Sequence, residues 1–204
     1  YRTPKTLKDN HEEYKFLKEL NADLAIVCAY GQIIPENFLN LTKKGFVNIH
    51  ASILPSWRGA APIQRSIMNL DPETGISIMK IKKELDSGPV SNIYKIKIDQ
   101  NQNAQEISEK LSALAAEKIL DNVDDILEDK AKFIDQDHSK ATYAKKIDKE
   151  ESRIDWDEDA SKIIGKINGL FPSPGASFSF NGERYKILKA EIGNGVGQVG
   201  EIIS

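Results

Sequence analysis

Between Phe46 and Arg65 an apolar, strand-like run passes directly into a polar loop rich in Gly and Pro, and this transition constrains the fold more than any other feature of the chain. Side chains alternate between the two faces of a strand, so Asn48 and His50 share one face. Strand interiors disfavour Asn, and a polar pair at the end of an apolar strand therefore needs a reason. Ligands of open α/β sheets bind beyond the carboxyl ends of the strands, which is where this pair falls. The preceding run, Asp23 to Tyr30, is apolar from Leu24 onward. It reads as a fully buried strand of a parallel sheet, with Cys28 inside the core.

Other elements alternate around these two. Residues 6–20 set Leu7, Tyr14, Phe16, Leu17 and Leu20 among charges in an amphipathic-helix pattern. Pro35 to Leu39 and Pro62 to Asn69 read as helices opened by proline. Asp71 to Gly75 is a turn. From Gly75 to Ile81, Ile76 and Ile78 alternate with Ser77 and Met79 as in a strand, and Val90 to Ile98 alternates again, with antiparallel pairing open. Asn103 to Leu127 is a long amphipathic helix. Glu128 to Glu151 is polar and charged, a linker composition with Phe133 and Tyr143 as isolated anchors. A helix near Ala160 to Leu170 follows. Asn181-Gly182 then separates Ala176–Phe180 from Glu183–Ala190, a strong hairpin signal.

The bulk properties exclude more than they assign. The chain has 204 residues, 40% hydrophobic and 29% charged, an ordinary globular composition. Its longest apolar run, Leu24 to Tyr30, is far short of the roughly 20 residues of a membrane span. No signal peptide is visible. The chain starts at Tyr1 without Met, so the natural N-terminus is expected to lie outside it. The single cysteine, Cys28, cannot pair internally, and a reducing compartment is expected. A net charge of −3 does not advertise a nucleic-acid binder, yet a local patch can act within an acidic total. The basic residues are 23 Lys and 5 Arg, and two of the arginines, Arg58 and Arg65, lie in or beside the loop. Arg suits bidentate phosphate or carboxylate recognition, and solvated surface charge is the plainer alternative. No Gly-x-Gly-x-x-Gly, P-loop or nucleophile elbow is present. His11 and His138 lack partners at ligand spacing and read as surface residues, so no metal is expected.

The second loop of interest, Leu85-Asp86-Ser87-Gly88-Pro89, offers a carboxylate at the end of the next strand. Each residue alone has a plain reading: His50 as a satisfied strand-end histidine, Asp86 as a turn aspartate. Together, Asn48, His50 and Asp86 suit addition of an amine to a carbonyl carbon. An amide or imidazole donates to a developing oxyanion, and a carboxylate–imidazole pair takes the amine proton.

The segment Asn48-Ile49-His50-Ala51-Ser52-Ile53-Leu54-Pro55 resembles the Asn-x-His-x-Ser-Leu-Leu-Pro signature of 10-formyltetrahydrofolate-dependent formyltransferases. Ile53 stands where that pattern has Leu, a volume-conserving exchange. Arg58 to Arg65, Glu73-Thr74-Gly75, Leu85 to Gly88, Ala22 to Gly31, Tyr143 to Ile147 and Ser152 to Trp156 are similar to the branch that formylates methionyl-tRNA. The resemblance implies an enzyme that moves a formyl group from 10-formyltetrahydrofolate to the amino group of methionine on initiator tRNA. It implies Asn48, His50 and Asp86 as catalytic residues and Ser52, Ile53, Leu54, Pro55, Tyr30 and Gly31 at the folate. It also implies Arg58 near the tRNA. The implied fold is α/β: an incomplete, Rossmann-like formyltransferase domain over residues 1–130 without its first strands, a linker over 131–150, and the start of an oligonucleotide-binding β-barrel over 151–204. A monomer in the cytoplasm, or in an organellar matrix, is expected. Rival acceptors remain open: an amino-sugar nucleotide, glycinamide ribonucleotide, or water in a formyltetrahydrofolate hydrolase. So does a non-enzymatic RNA-binding module with an idle pocket.

Overall fold

Four strands build the central sheet of the computed structural model, which describes residues 1–201; the end of the expected second unit, 202–204, lies outside them. Strands β1 (Ala25–Cys28) and β2 (Phe46–His50) run parallel, β4 (Glu73–Lys80) is antiparallel to β2, and β5 (Val90–Lys97) is antiparallel to β4. The sheet order is β1-β2-β4-β5. Helix α1 (His11–Glu19) precedes β1, α2 (Glu36–Leu39) links β1 to β2, and α3 (Pro62–Met68) leads to β4.

The two faces of the sheet differ, as strand alternation requires. Val47 and Ile49 on β2 share a face with Ile76 and Ile78 on β4. Ile107, Leu111, Ala115 and Ile126 of the helix α4 (Ala104–Leu127) pack in the same clusters. Asn103 caps α4 by accepting from the Glu106 N–H, while the Glu106 side chain accepts from the Asn103 N–H, a reciprocal capping box. The opposite face carries Asn48, His50, Ser77 and Met79.

One expectation fails here. β1 is not buried on both faces: Ile26 is 47% exposed and Cys28 is exposed rather than in the core. β1 is an edge strand of the sheet, and none of the described residues covers its Ile26–Cys28 face.

The polar stretch after α4 runs back across the molecule. Ile134 bridges to Val90, and β6 (Tyr143–Ala144) pairs in parallel with β3 (Arg58–Gly59) in the loop after β2. The chain then enters α5 (Ala160–Leu170), which lies against α3 so closely that a β-carbon on Gly169 would sit 2.6 Å from Met68 Cγ and 3.0 Å from the Gln64 carbonyl oxygen. The hairpin β7 (Ala176–Phe180) and β8 (Glu183–Ile187) closes through Asn181 and Gly182, both at positive φ, as a type I′ turn requires. The described residues form no closed barrel. No helix among them is long and apolar enough to cross a membrane.

Candidate active site

The loop after β2 is fastened from below by serine hydroxyls. The Ser77 hydroxyl donates to the Ser52 carbonyl at 2.7 Å and accepts from the Leu54 N–H at 3.1 Å. The Ser52 hydroxyl donates to the Ser56 carbonyl at 2.6 Å. The loop is thereby shaped to bring the Trp57 carbonyl within 2.9 Å of His50 Nε2. A carbonyl can only accept, so Nε2 carries a proton, and in the neutral ring Nδ1 is the acceptor nitrogen.

Nδ1 faces Asp86. It lies 3.6 Å from Asp86 Oδ2, beyond hydrogen-bond range. Asp86 sits at φ 46°, a backbone region that a non-Gly residue visits rarely. The Gly59 N–H donates to the same carboxylate oxygen at 2.8 Å. The carboxylate does not reach the imidazole from an adjacent strand end, as the sequence suggests. β4 is antiparallel to β2 and ends opposite Val47, so the loop Ile81–Pro89 folds back over the sheet to the level of His50. His50 is 6% exposed and the Asp86 side chain 16%. Imidazole and carboxylate thus face each other across a short gap, largely out of water.

Asn48, His50 and Asp86 border one cavity of about 680 Å³, within the usual range of small-molecule clefts. Tyr30 and Gly31 line it too, with Ile33, Ile34 and Leu85 among its apolar walls. Among the described residues no group of three or more His, Cys, Asp or Glu is placed to hold a metal ion.

Residues 2–123 match the family model "Formyl transferase", and 146–204 match "Formyl transferase, C-terminal domain". The chain belongs to the formyl transferase family. It is 66% identical to the methionyl-tRNA formyltransferase of Pelagibacter ubique, over all of this chain and 66% of that protein. Its identity to the methionyl-tRNA formyltransferase of Dictyoglomus turgidum is 46%, over 92% of this chain and 60% of that one. The chain therefore spans just under two thirds of these relatives' length. Among solved structures, HypX from Aquifex aeolicus in complex with tetrahydrofolic acid shares the fold, with a TM-score of 0.74 at 20% identity over 88% of this chain and 31% of that one.

Within this formyl transferase chain, the other site residues suggested by sequence lie elsewhere. Ser52 and Leu54 are buried behind the loop, and neither they, Ile53 nor Pro55 borders the cavity. The reason is local: the Ser52 hydroxyl turns inward to its own loop. Arg58, read as a nucleic-acid contact, is 3% exposed. Its guanidinium donates to Gln136 Oε1 at 3.1 and 2.7 Å and lies 3.2 Å from His138 Nδ1, which leaves no open surface for a phosphate. The sequence alone does not point to Gln136. A single glutamine between aspartates, in a stretch of linker composition, gives no sequence signal.

Arg65 holds the returning segment. It donates to Glu151 at 2.6 and 2.9 Å and to the Lys145 and Lys146 carbonyls. Arg65 beside it holds the Glu151 carboxyl below its ordinary value of 4.5. The folded-state value is the lower one, so the pair's contribution is fully present above pH 4.5 and is lost as the pH falls through the folded value. A partly exposed pair of this kind adds only about 0–1 kcal/mol, so its effect is local. Amide hydrogen exchange at residues 145–151 is expected to quicken as the pH falls below 4.5, relative to the intrinsic rate, and to lose that pH dependence in Glu151→Gln.

Proposed function

We propose that this chain transfers a formyl group from 10-formyltetrahydrofolate to the amino group of methionine on initiator tRNA. One observation carries the reading: His50 Nδ1 and the Asp86 carboxylate face each other at 3.6 Å beside the cleft that Asn48 lines. The names of the longer relatives, both methionyl-tRNA formyltransferases, support this acceptor.

The cleft suits a folate, with apolar walls for its rings and polar groups at the rim. Tyr30 and Gly31 would hold it on the β1 side, and Ser52, Ile53, Leu54 and Pro55 would act from behind by shaping the loop. The donor supplies an activated N-formyl group. The rest falls to the chain's own residues. Asn48 donates its carboxamide N–H to a carbonyl oxygen that gains negative charge, an interaction stronger in the transition state than in the ground state. His50 Nδ1 takes the proton that the attacking amine gives up as its nitrogen bonds to the formyl carbon, and returns it to the folate nitrogen when the bond from that nitrogen to the formyl carbon breaks. Asp86 then lies beside an imidazolium and stabilises it, while the Trp57 carbonyl keeps the ring in its orientation.

Incubating the full-length protein with 10-formyltetrahydrofolate, with and without methionyl-initiator tRNA, tests the reading. The expected result is formylmethionyl-tRNA with the acceptor and almost no formate without it. Formate release at equal rate in both reactions would instead identify a hydrolase.

A further inference from the structure

We infer that Gln136, in the segment between α4 and β6, is a positioning residue for Asp86, an inference that rests on the role proposed above for that carboxylate. Gln136 is 8% exposed and every hydrogen-bonding valence of its amide is engaged. Nε2 donates to the Asp86 carbonyl at 2.9 Å and to the Gly88 carbonyl at 2.7 Å. Oε1 accepts twice from Arg58, at 3.1 and 2.7 Å. The orientation is unambiguous: exchanging O and N would set two donors against the guanidinium and an acceptor against two carbonyls.

This amide joins the two loops that meet at the carboxylate. On one side it grips the carbonyl of Asp86 itself, whose φ of 46° is a conformation held only where its surroundings dictate it. On the other it fixes Arg58, the residue before Gly59, whose N–H donates to Asp86 Oδ2. Gln136 touches neither the cleft nor His50. It acts through the placement of Asp86, and a misplacement of about 1 Å in such a group costs on the order of 100-fold in rate.

Two variants of the full-length protein separate positioning from packing. Gln136→Leu removes all four hydrogen bonds. Gln136→Glu keeps the shape and the Arg58 bonds but turns a carboxylate oxygen onto the Asp86 and Gly88 carbonyls. Both are expected to lower kcat about 100-fold with KM for folate and tRNA little changed. In an Asp86→Asn background neither is expected to lower kcat further, because residues that act as one unit are not additive. The Gly59 amide proton, read by NMR without any substrate, is expected to shift in Gln136→Glu in the same direction as in Asp86→Asn. A folded Gln136→Glu with wild-type kcat, or an equal loss in both backgrounds, overturns the inference. If the wild-type protein transfers no formyl group, the functional reading fails instead, and the Gly59 resonance still decides whether Gln136 places Asp86.

Discussion

Replacing His50 with alanine is expected to lower the rate of formyl transfer about 10²–10⁴-fold, the usual range for a positioned general base. Binding of tRNA should persist, because His50 is 6% exposed and offers a nucleic acid almost no surface. The alanine variant also strips the Trp57 carbonyl of its donor, so part of any loss could be structural. His50→Gln is the companion that removes this ambiguity. Its amide can still donate to the carbonyl but supplies no base of comparable strength, so its kcat should stay low while its thermal midpoint returns toward wild type. Transfer rates at saturating substrates, set beside tRNA affinity, check the pair. An RNA-binding module with an idle pocket would lose nothing in either variant.

The second large effect is expected from Gly88→Ala, a single methyl outside the cleft. A β-carbon there would lie 1.8 Å from the Lys80 carbonyl oxygen and 2.9 Å from its carbon. Both are backbone atoms of β4 and have nowhere to go, so the turn that presents Asp86 must lift. Overpacking of this kind costs about 1–3 kcal/mol in stability, and displacing the carboxylate costs on the order of 100-fold in rate. Loss of rate is therefore expected in protein that is still folded at 25 °C. Gly31→Ala is the contrast: a β-carbon at Gly31 meets no atom within 4 Å, so the thermal midpoint should hold. Any change in folate KM there reports the ligand's approach to Tyr30 and Gly31. A Gly88→Ala protein with wild-type kcat would mean that the Asp86 turn is not held where β4 places it.

These two positions also mark how far the sequence was legible. Periodicity placed α4, α5 and the β7–β8 hairpin well, because each is decided by local chemistry: an Asn cap, an Ala160–Leu170 stripe, an Asn-Gly turn. Asn48 and His50 were legible because two polar residues at the end of an apolar strand conflict with strand preferences. Asp86 was legible only as a carboxylate in a turn. Its route to His50, a loop folded back from an antiparallel strand, depends on tertiary pairing that no local pattern encodes. Cys28 and Ile26 look like core by hydropathy but lie on an uncovered edge strand. The surroundings of Arg58 and Gln136 are not legible in the sequence for one reason. A polar side chain looks solvent-bound in a sequence, and only the fold reveals the buried partner that bonds to it.

Single-turnover formylation tests the central claim most directly. The full-length protein, charged with 10-formyltetrahydrofolate, is offered initiator methionyl-tRNA, the same tRNA uncharged, and elongator methionyl-tRNA. Rapid formylation of the first, none of the second and slow formylation of the third is the predicted result. Formyl transfer that ignores the tRNA, or none to charged initiator tRNA, would contradict the account.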